Sequence, residues 1–278
     1  MAALLNQVFF PSTFQELFNA WNRFPGAVPY AGGTGLIRGQ GKEILDLPPI
    51  ILSLDKLEDL QRITRTERYL EIGAMVKLNQ IIRIGKIVPE ALTRCLEKIA
   101  GVQLRNIATI GGNICYPTRR LDVSAPLAAL DAQFELRSTQ STRWISASRF
   151  SSLPGPTALN PQELLTRIRV PLDQWDYSIY KKFSSGRHLN SSEVMVFMMK
   201  TQKNVLTDIR VIFKTNTILR DKNSEAILIG KHLPLSNRIA ADFVQSWETF
   251  LSGMPDVEEL SKKELVNCIE LNVYNLSE

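Results

Sequence analysis

Residues Tyr30–Gly39 read YAGGTGLIRG, and four of the chain's 15 glycines fall within these ten positions. A second cluster, TIGGNI, occupies Thr109–Ile114. Each follows an apolar, β-like lead-in, and the run after the first cluster reads as strand. A glycine pair in such a place has two uses. It supplies positive φ at a turn or bulge. It also leaves bare backbone that a phosphate can approach, with successive N–H groups aimed at the anion. Thr34 and Thr109 would add hydroxyl donors, and two such loops would suit the two phosphates of a dinucleotide. Residue chemistry alone leaves both uses open. The first loop lacks the Lys-Ser/Thr of a Walker loop, and it is not a GxGxxG opening a helix with an acidic residue at nicotinamide-binding spacing.

Around the first cluster the chain reads as β-α-β-loop-β over residues 1–55. NQVFFP is a short strand stopped by Pro11. In STFQELFNAWNRF, Phe14, Leu17, Phe18 and Trp21 mark one helical face, and Thr13 with Glu16 fits a capping box. Beyond it, YLEIGAM alternates as a strand, and KLNQIIRIGKIV and PEALTRCLEKIA read as helices. Pro89 is placed to start the second helix and Gly101 to end it. AQFELRS, RWISASRF and ELLTRIRVP read as strands. A boundary is expected near Trp175. After it YSIYKKFSS, SEVMVFMMKT and TDIRVIFKTN have strand character, and two helices follow, NRIAADFVQSWETFLSG and SKKELVNCIELNVYNL.

With 278 residues, 44% hydrophobic and 22% charged, the chain has the composition of a globular protein large enough for two domains. The net charge of +5 is spread along the sequence, which argues against a nucleic-acid face. Cys95, Cys115 and Cys268 are far apart and form no CxxC, and His188 and His232 are the only histidines. The sequence therefore offers no iron–sulfur or zinc ligand set. Free thiols, an uncharged N-terminal stretch without a signal-peptide n-region, and no apolar run near the ~18 residues of a membrane span point to the cytoplasm.

AGGTGL resembles the AGGTDL loop, and ATIGGNI the second glycine loop, of the FAD-binding subunit of molybdenum hydroxylases. That family includes the flavin domain of xanthine dehydrogenase and the medium subunit of carbon monoxide dehydrogenase. The segment CYPTRRLDVSAPLAALDA is similar in length and register to the family's Ser-Pro-x-Ser-Asp and Leu-Asp-Ala run. ELLTRIRVP resembles its EILxxIxIP strand, YKKFSS its K-x-S-R-R stretch, and EAILIGKHL its AxxxLxGKPL segment. The resemblance implies an α+β fold: a two-subdomain, PCMH-type FAD-binding domain at 1–175 (subdomains 1–55 and 56–175), then a smaller α+β domain at 176–278.

The resemblance also implies noncovalent FAD, with its diphosphate on backbone N–H groups of Ala31, Gly32, Gly33, Thr34 and Gly35 and of Ile110, Gly111, Gly112 and Asn113, and with Pro29, Tyr30, Leu36 and Thr109 completing the cofactor-binding set. Thr118 falls on the family's first serine. Asp122 falls on its FAD-contacting aspartate, although by residue type it equally suits an N-cap of VSAPLAAL. Ile99 and Leu165 would pack on the isoalloxazine, or be ordinary core. Lys182 would place positive charge near the flavin, or be a solvated lysine. Molybdopterin and [2Fe-2S] clusters would belong to two partner subunits, with electrons leaving through FAD to NAD+ or another acceptor. The sequence departs from the pattern at Gly35, where the family has aspartate, at Arg119-Arg120-Leu121, and at Gly186 in the lysine stretch. Two other readings stay open: a stand-alone flavin oxidoreductase, and a degenerate scaffold subunit without flavin.

Overall fold

The computed structural model describes residues 7–40, 46–117, 121–151, 158–183, 193–215, 217–255 and 257–276, with side chains of 38–40 excepted. Thr118, the Arg119-Arg120 pair, Gly186 and His188 lie outside them. Three sheets organise the chain. In the first, β1 (Gln7–Phe9), β2 (Val28–Tyr30) and β3 (Ile50–Ser53) are parallel in the order β1-β3-β2, with α1 (Phe14–Arg23) joining β1 to β2 and α2 (Thr34–Gln40) following β2. Leu17, Phe18 and Trp21 bury the apolar stripe of α1. Thr13 caps this helix as expected, and Glu16 reaches back chiefly to the N–H of Ser12, 2.8 Å away.

The second sheet is antiparallel, in the order β4-β5-β8-β6-β7. Its strands are β4 (Ile63–Arg65), β5 (Tyr69–Gly73), β6 (Gln133–Arg137), β7 (Thr142–Ser146) and β8 (Leu164–Pro171). Between β5 and β6 run five helices, α3 (Leu78–Arg83), α4 (Glu90–Glu97), α5 (Val102–Arg105), α6 (Ile110–Ile114) and α7 (Ser124–Ala129), and α8 (Ala147–Ser151) follows β7. Leu70, Ile72, Phe134, Leu136, Ile168 and Val170 supply the buried face.

Two caps differ from expectation. Pro89 is the N-cap of α4, not its first helical residue. Gly101 ends no helix but starts α5, and the left-handed residue after α4 is Ala100, at φ 49°. RWISASRF is strand only to Ser146 and then helix.

The third sheet, β12-β11-β10-β9, comprises β9 (Tyr177–Phe183), β10 (Glu193–Gln202), β11 (Val205–Lys214) and β12 (Ile218–Leu219), backed by α9 (Lys222–Leu228), α10 (Asn237–Ser252) and α11 (Glu259–Tyr274). The run VMVFMM in β10 is buried throughout because both faces of the sheet are covered. Val194, Val196 and Met198 join one core with α4 and α7, while Met195, Phe197 and Met199 join a second with α10 and α11. Among the described residues no helix is long and apolar enough to cross a membrane.

Candidate functional site

Both glycine clusters begin short helices rather than β-turns. Gly32 and Gly33 link β2 to α2, whose first residue is Thr34. Thr109 caps α6, its Oγ1 accepting the N–H of Gly112 at 3.0 Å. The strand pattern failed here because glycine costs ~1 kcal/mol per helical position relative to alanine, so neither run carries a helical signature. Only tertiary contacts make such short helices persist.

Those contacts draw the two loops together. A Cβ on Gly32 would collide with the carbonyl of Ile107, just ahead of the second loop. A Cβ on Gly112 would lie 4.0 Å from Cβ of Ala31. Gly33 adopts φ 68°, and the Tyr30 hydroxyl sits where its side chain would point. Pro29 and Tyr30 form the end of β2, and Leu36 lies in the first turn of α2.

The backbone donors divide unequally. Among the described residues no acceptor pairs with the N–H groups of Ala31, Gly32, Gly33, Thr34, Gly35 or Leu36, and the first internal bond of α2 runs from Ile37 to the carbonyl of Gly33. The second loop spends its donors. Ile110 N–H bonds the carbonyl of Val76, Gly111 that of Ala74, Asn113 that of Thr109, and Gly112 the Thr109 hydroxyl. The sequence reading gave both loops the same phosphate-binding role. In the structure the second is a brace hung on residues 74–76. Its chemical offering is the side-chain oxygen Oδ1 of Asn113, which is buried and has no hydrogen-bond partner among the described residues. Such an orphan acceptor costs ~1–3 kcal/mol unless something donates to it.

Asp122 and Lys182, nominated separately, are in direct contact. Lys182 Nζ donates to Asp122 Oδ2 at 2.7 Å, and Lys214 Nζ stands 3.5 Å from Oδ1. The Asp122 and Lys214 side chains are 8% and 4% exposed, whereas that of Lys182 is 35% exposed. The sequence reading places neither residue on the other. Asp122 does not cap α7, whose N-cap position is Val123. Its carboxylate is engaged in joining the entry to α7 with β9 and β11. Nearby, Cys95 and Tyr180 titrate above their ordinary ranges, burial being the main cause and the Asp122 charge a further one. The thiol is therefore not a nucleophile at neutral pH.

Leu165 is 2% exposed within the main core. Simple alternation would put it on the outer face with Arg167 and Arg169. The register shift between Glu135 and Leu136 pairs Leu165 with Leu136 instead, and Thr166 Oγ1 donates to the Glu135 carboxylate at 2.6 Å.

Ile99 is half-buried, and its loop is fixed by a residue the sequence did not flag. Arg105 Nη1 lies 3.0, 3.1 and 2.6 Å from the carbonyl oxygens of Glu97, Ile99 and Ala100. Arg105→Met is therefore expected to release this loop, costing about 1.5–3 kcal/mol in urea unfolding for charge-assisted bonds of this kind. A melt unchanged from wild type would show the clamp to be idle.

The strand–glycine–helix loop and the second glycine loop thus lie side by side, each flanked by the main apolar core. The "FAD binding domain in molybdopterin dehydrogenase" family matches residues 5–173. The chain belongs to that family: it is an FAD-binding component of an oxidoreductase. It is 27% identical to the glyceraldehyde dehydrogenase medium chain of Sulfolobus acidocaldarius over 219 residues, 78% of this chain and 76% of that one. It is 31% identical to the xanthine dehydrogenase FAD-binding subunit of Escherichia coli O157:H7 over 163 residues, 58% of this chain, and the match spans only 56% of that subunit. A chain of quinoline 2-oxidoreductase from Pseudomonas putida 86 superposes with TM-score 0.80 at 20% identity, covering 98% of this chain and 95% of the other, so the whole fold is shared.

Proposed function

We propose that this chain is the electron-transfer flavoprotein subunit of a xanthine dehydrogenase-like molybdenum hydroxylase complex. It passes electrons from iron–sulfur clusters of one partner subunit, originating at a molybdopterin-binding subunit, through FAD to NAD+ or another acceptor. Bound FAD supplies the redox chemistry, accepting two electrons and releasing them onward. The chain's own residues supply position. Residues 1–55 and 56–175 form the flavin-holding lobes, and 176–278 the C-terminal domain. The free thiols Cys95, Cys115 and Cys268 fit a reducing cytoplasm.

The observation that carries this reading is the row of N–H groups from Ala31 to Leu36 that find no backbone acceptor among the described residues. Oriented donors to a diphosphate make charge-assisted bonds, about twice as strong as neutral ones. The orphan Asn113 oxygen would accept from a ribityl hydroxyl, an adenine amine or the flavin N–H. Ile99 would give the ring system apolar contact and keep water from it, with Leu165 in the core behind. Asp122 and Lys182 act one step back, holding the wall of the site.

Asn113→Leu tests the assignment without threatening the fold. It deletes a buried acceptor that has no partner among the described residues, so the apoprotein should melt at or above the wild-type temperature, while FAD binds about tenfold more weakly, the worth of one buried bond. Titration of apoprotein with FAD, followed by absorbance, measures the second effect. Unchanged affinity would remove Asn113 from the site. The electron path is tested separately: reduction of the flavin by an aldehyde or purine should require the partner subunits.

A further inference from the structure

Gly35 is where the sequence leaves the AGGTDL pattern, and the structure shows what occupies the space. A Cβ on Gly35 would stand 2.8 Å from Cε2 and 2.9 Å from Cδ2 of Tyr116, closer than a real carbon contact allows. Tyr116 directly follows Cys115, which closes α6, and its ring is half-buried. An aromatic side chain carried by the second loop thus rests on the bare backbone of the first. Any side chain at 35 and the ring of Tyr116 exclude each other in these positions.

The mechanical setting gives this contact its weight. The second loop is rigid, each N–H from Ile110 to Asn113 being bonded within the protein. The first is held from its carbonyl side, with Tyr30 O accepting from Leu54 and Gly33 O from Ile37, while among the described residues its own N–H groups from Ala31 to Leu36 have no backbone acceptor. Its visible supports are close packing: the Gly32 backbone on the Ile107 carbonyl, the Tyr30 hydroxyl on Gly33, and the Tyr116 ring on Gly35.

We propose that Tyr116 is a positioning residue for the flavin nucleotide, size-matched to Gly35, and that the pair transfers the rigidity of the second loop to the donors of the first. The inference rests on reading Ala31–Leu36 as the diphosphate cradle and adds the residue that fixes its shape. The ring, not the hydroxyl, does the bracing. Glycine at 35 is then no defect of the loop but half of a two-residue device.

The test is a double-mutant cycle on the full chain, reading the FAD dissociation constant of each apoprotein and its melting temperature. Gly35→Asp displaces the ring and Tyr116→Thr removes it; each should weaken FAD about tenfold or more, and the double variant should be no worse than the poorer single, a coupling of about tenfold. Tyr116→Phe should bind within about twofold of wild type, and Tyr116→Thr should shift apoprotein melting little, because one half-buried ring near the surface contributes modestly to the fold. Multiplied losses in the double variant, or wild-type affinity in Tyr116→Thr, would overturn the proposal. Should Gly35→Asp fail to fold, the Tyr116→Thr and Tyr116→Phe comparison still decides. Thr34→Pro separates this from the underlying assignment. Proline fits a first helical position and deletes one N–H that has no backbone acceptor among the described residues. If that variant keeps wild-type affinity, the cradle itself is wrong; if it loses affinity while the cycle is multiplicative, only the coupling falls.

Discussion

Asp122→Asn should destabilise the apoprotein by about 3–5 kcal/mol, the usual consequence of removing one member of a buried ion pair. The replacement is nearly isosteric, so no cavity opens and the effect is electrostatic. It leaves two ammonium groups facing an amide, and one of them, Lys214, has a side chain only 4% exposed. Lys182 is better solvated and costs less to leave, so Lys182→Met should lose only about 1 kcal/mol. The carboxylate links the entry to α7 with β9 and β11, so the loss should appear as a lower urea midpoint of the whole chain. FAD affinity of the folded fraction should stay near wild type. The resemblance alone implies the reverse, a variant that folds normally and loses its flavin. Urea unfolding of the apoprotein and the flavin content of the purified variant distinguish the two: full stability with empty flavin sites would return Asp122 to the cofactor.

The pairing of Asp122 with Lys182 shows where reading a sequence stops. The sequence singles out each residue separately, but 60 positions separate them, and no local pattern reports a contact at that range. Strands whose burial is periodic were plain. Tyr69–Gly73 and Gln133–Arg137 alternate, and VMVFMM in β10 announces a strand covered on both sides. The glycine loops were legible as special backbone but not as helix starts, since Gly35 and Gly39 in α2 and Gly111 and Gly112 in α6 erase helical propensity. The bulge at Thr166 was invisible for a related reason. It is fixed by the Glu135 carboxylate on a neighbouring strand, and it alone turns Leu165 inward. Arg105 carried no motif at all. Its role lies in three carbonyls that converge only after Ala100 takes a left-handed turn.

Gly111→Val is expected to cost about 3 kcal/mol or more, at the upper end for forced overpacking, and to lower the melting temperature of the apoprotein by roughly 10 °C. A Cβ at this position would lie 2.7 Å from both the carbonyl oxygen and the Cβ of Ala74, and the Gly111 N–H donates to that same oxygen at 2.9 Å. Backbone this close cannot yield without breaking the bond that hangs α6 from the end of β5. Gly112 differs. Its face is exposed, and a Cβ there would meet chiefly the Thr109 hydroxyl at 2.9 Å, so Gly112→Ala should forfeit only the cap, about 1 kcal/mol. The two adjacent glycines therefore separate packing from ligand access. If bare backbone at 111 served mainly to admit a phosphate, the valine variant would stay folded and merely lose flavin. The close contact with Ala74 requires instead that it unfold more easily before any flavin is added, and thermal melts of the two apoproteins side by side decide between those outcomes.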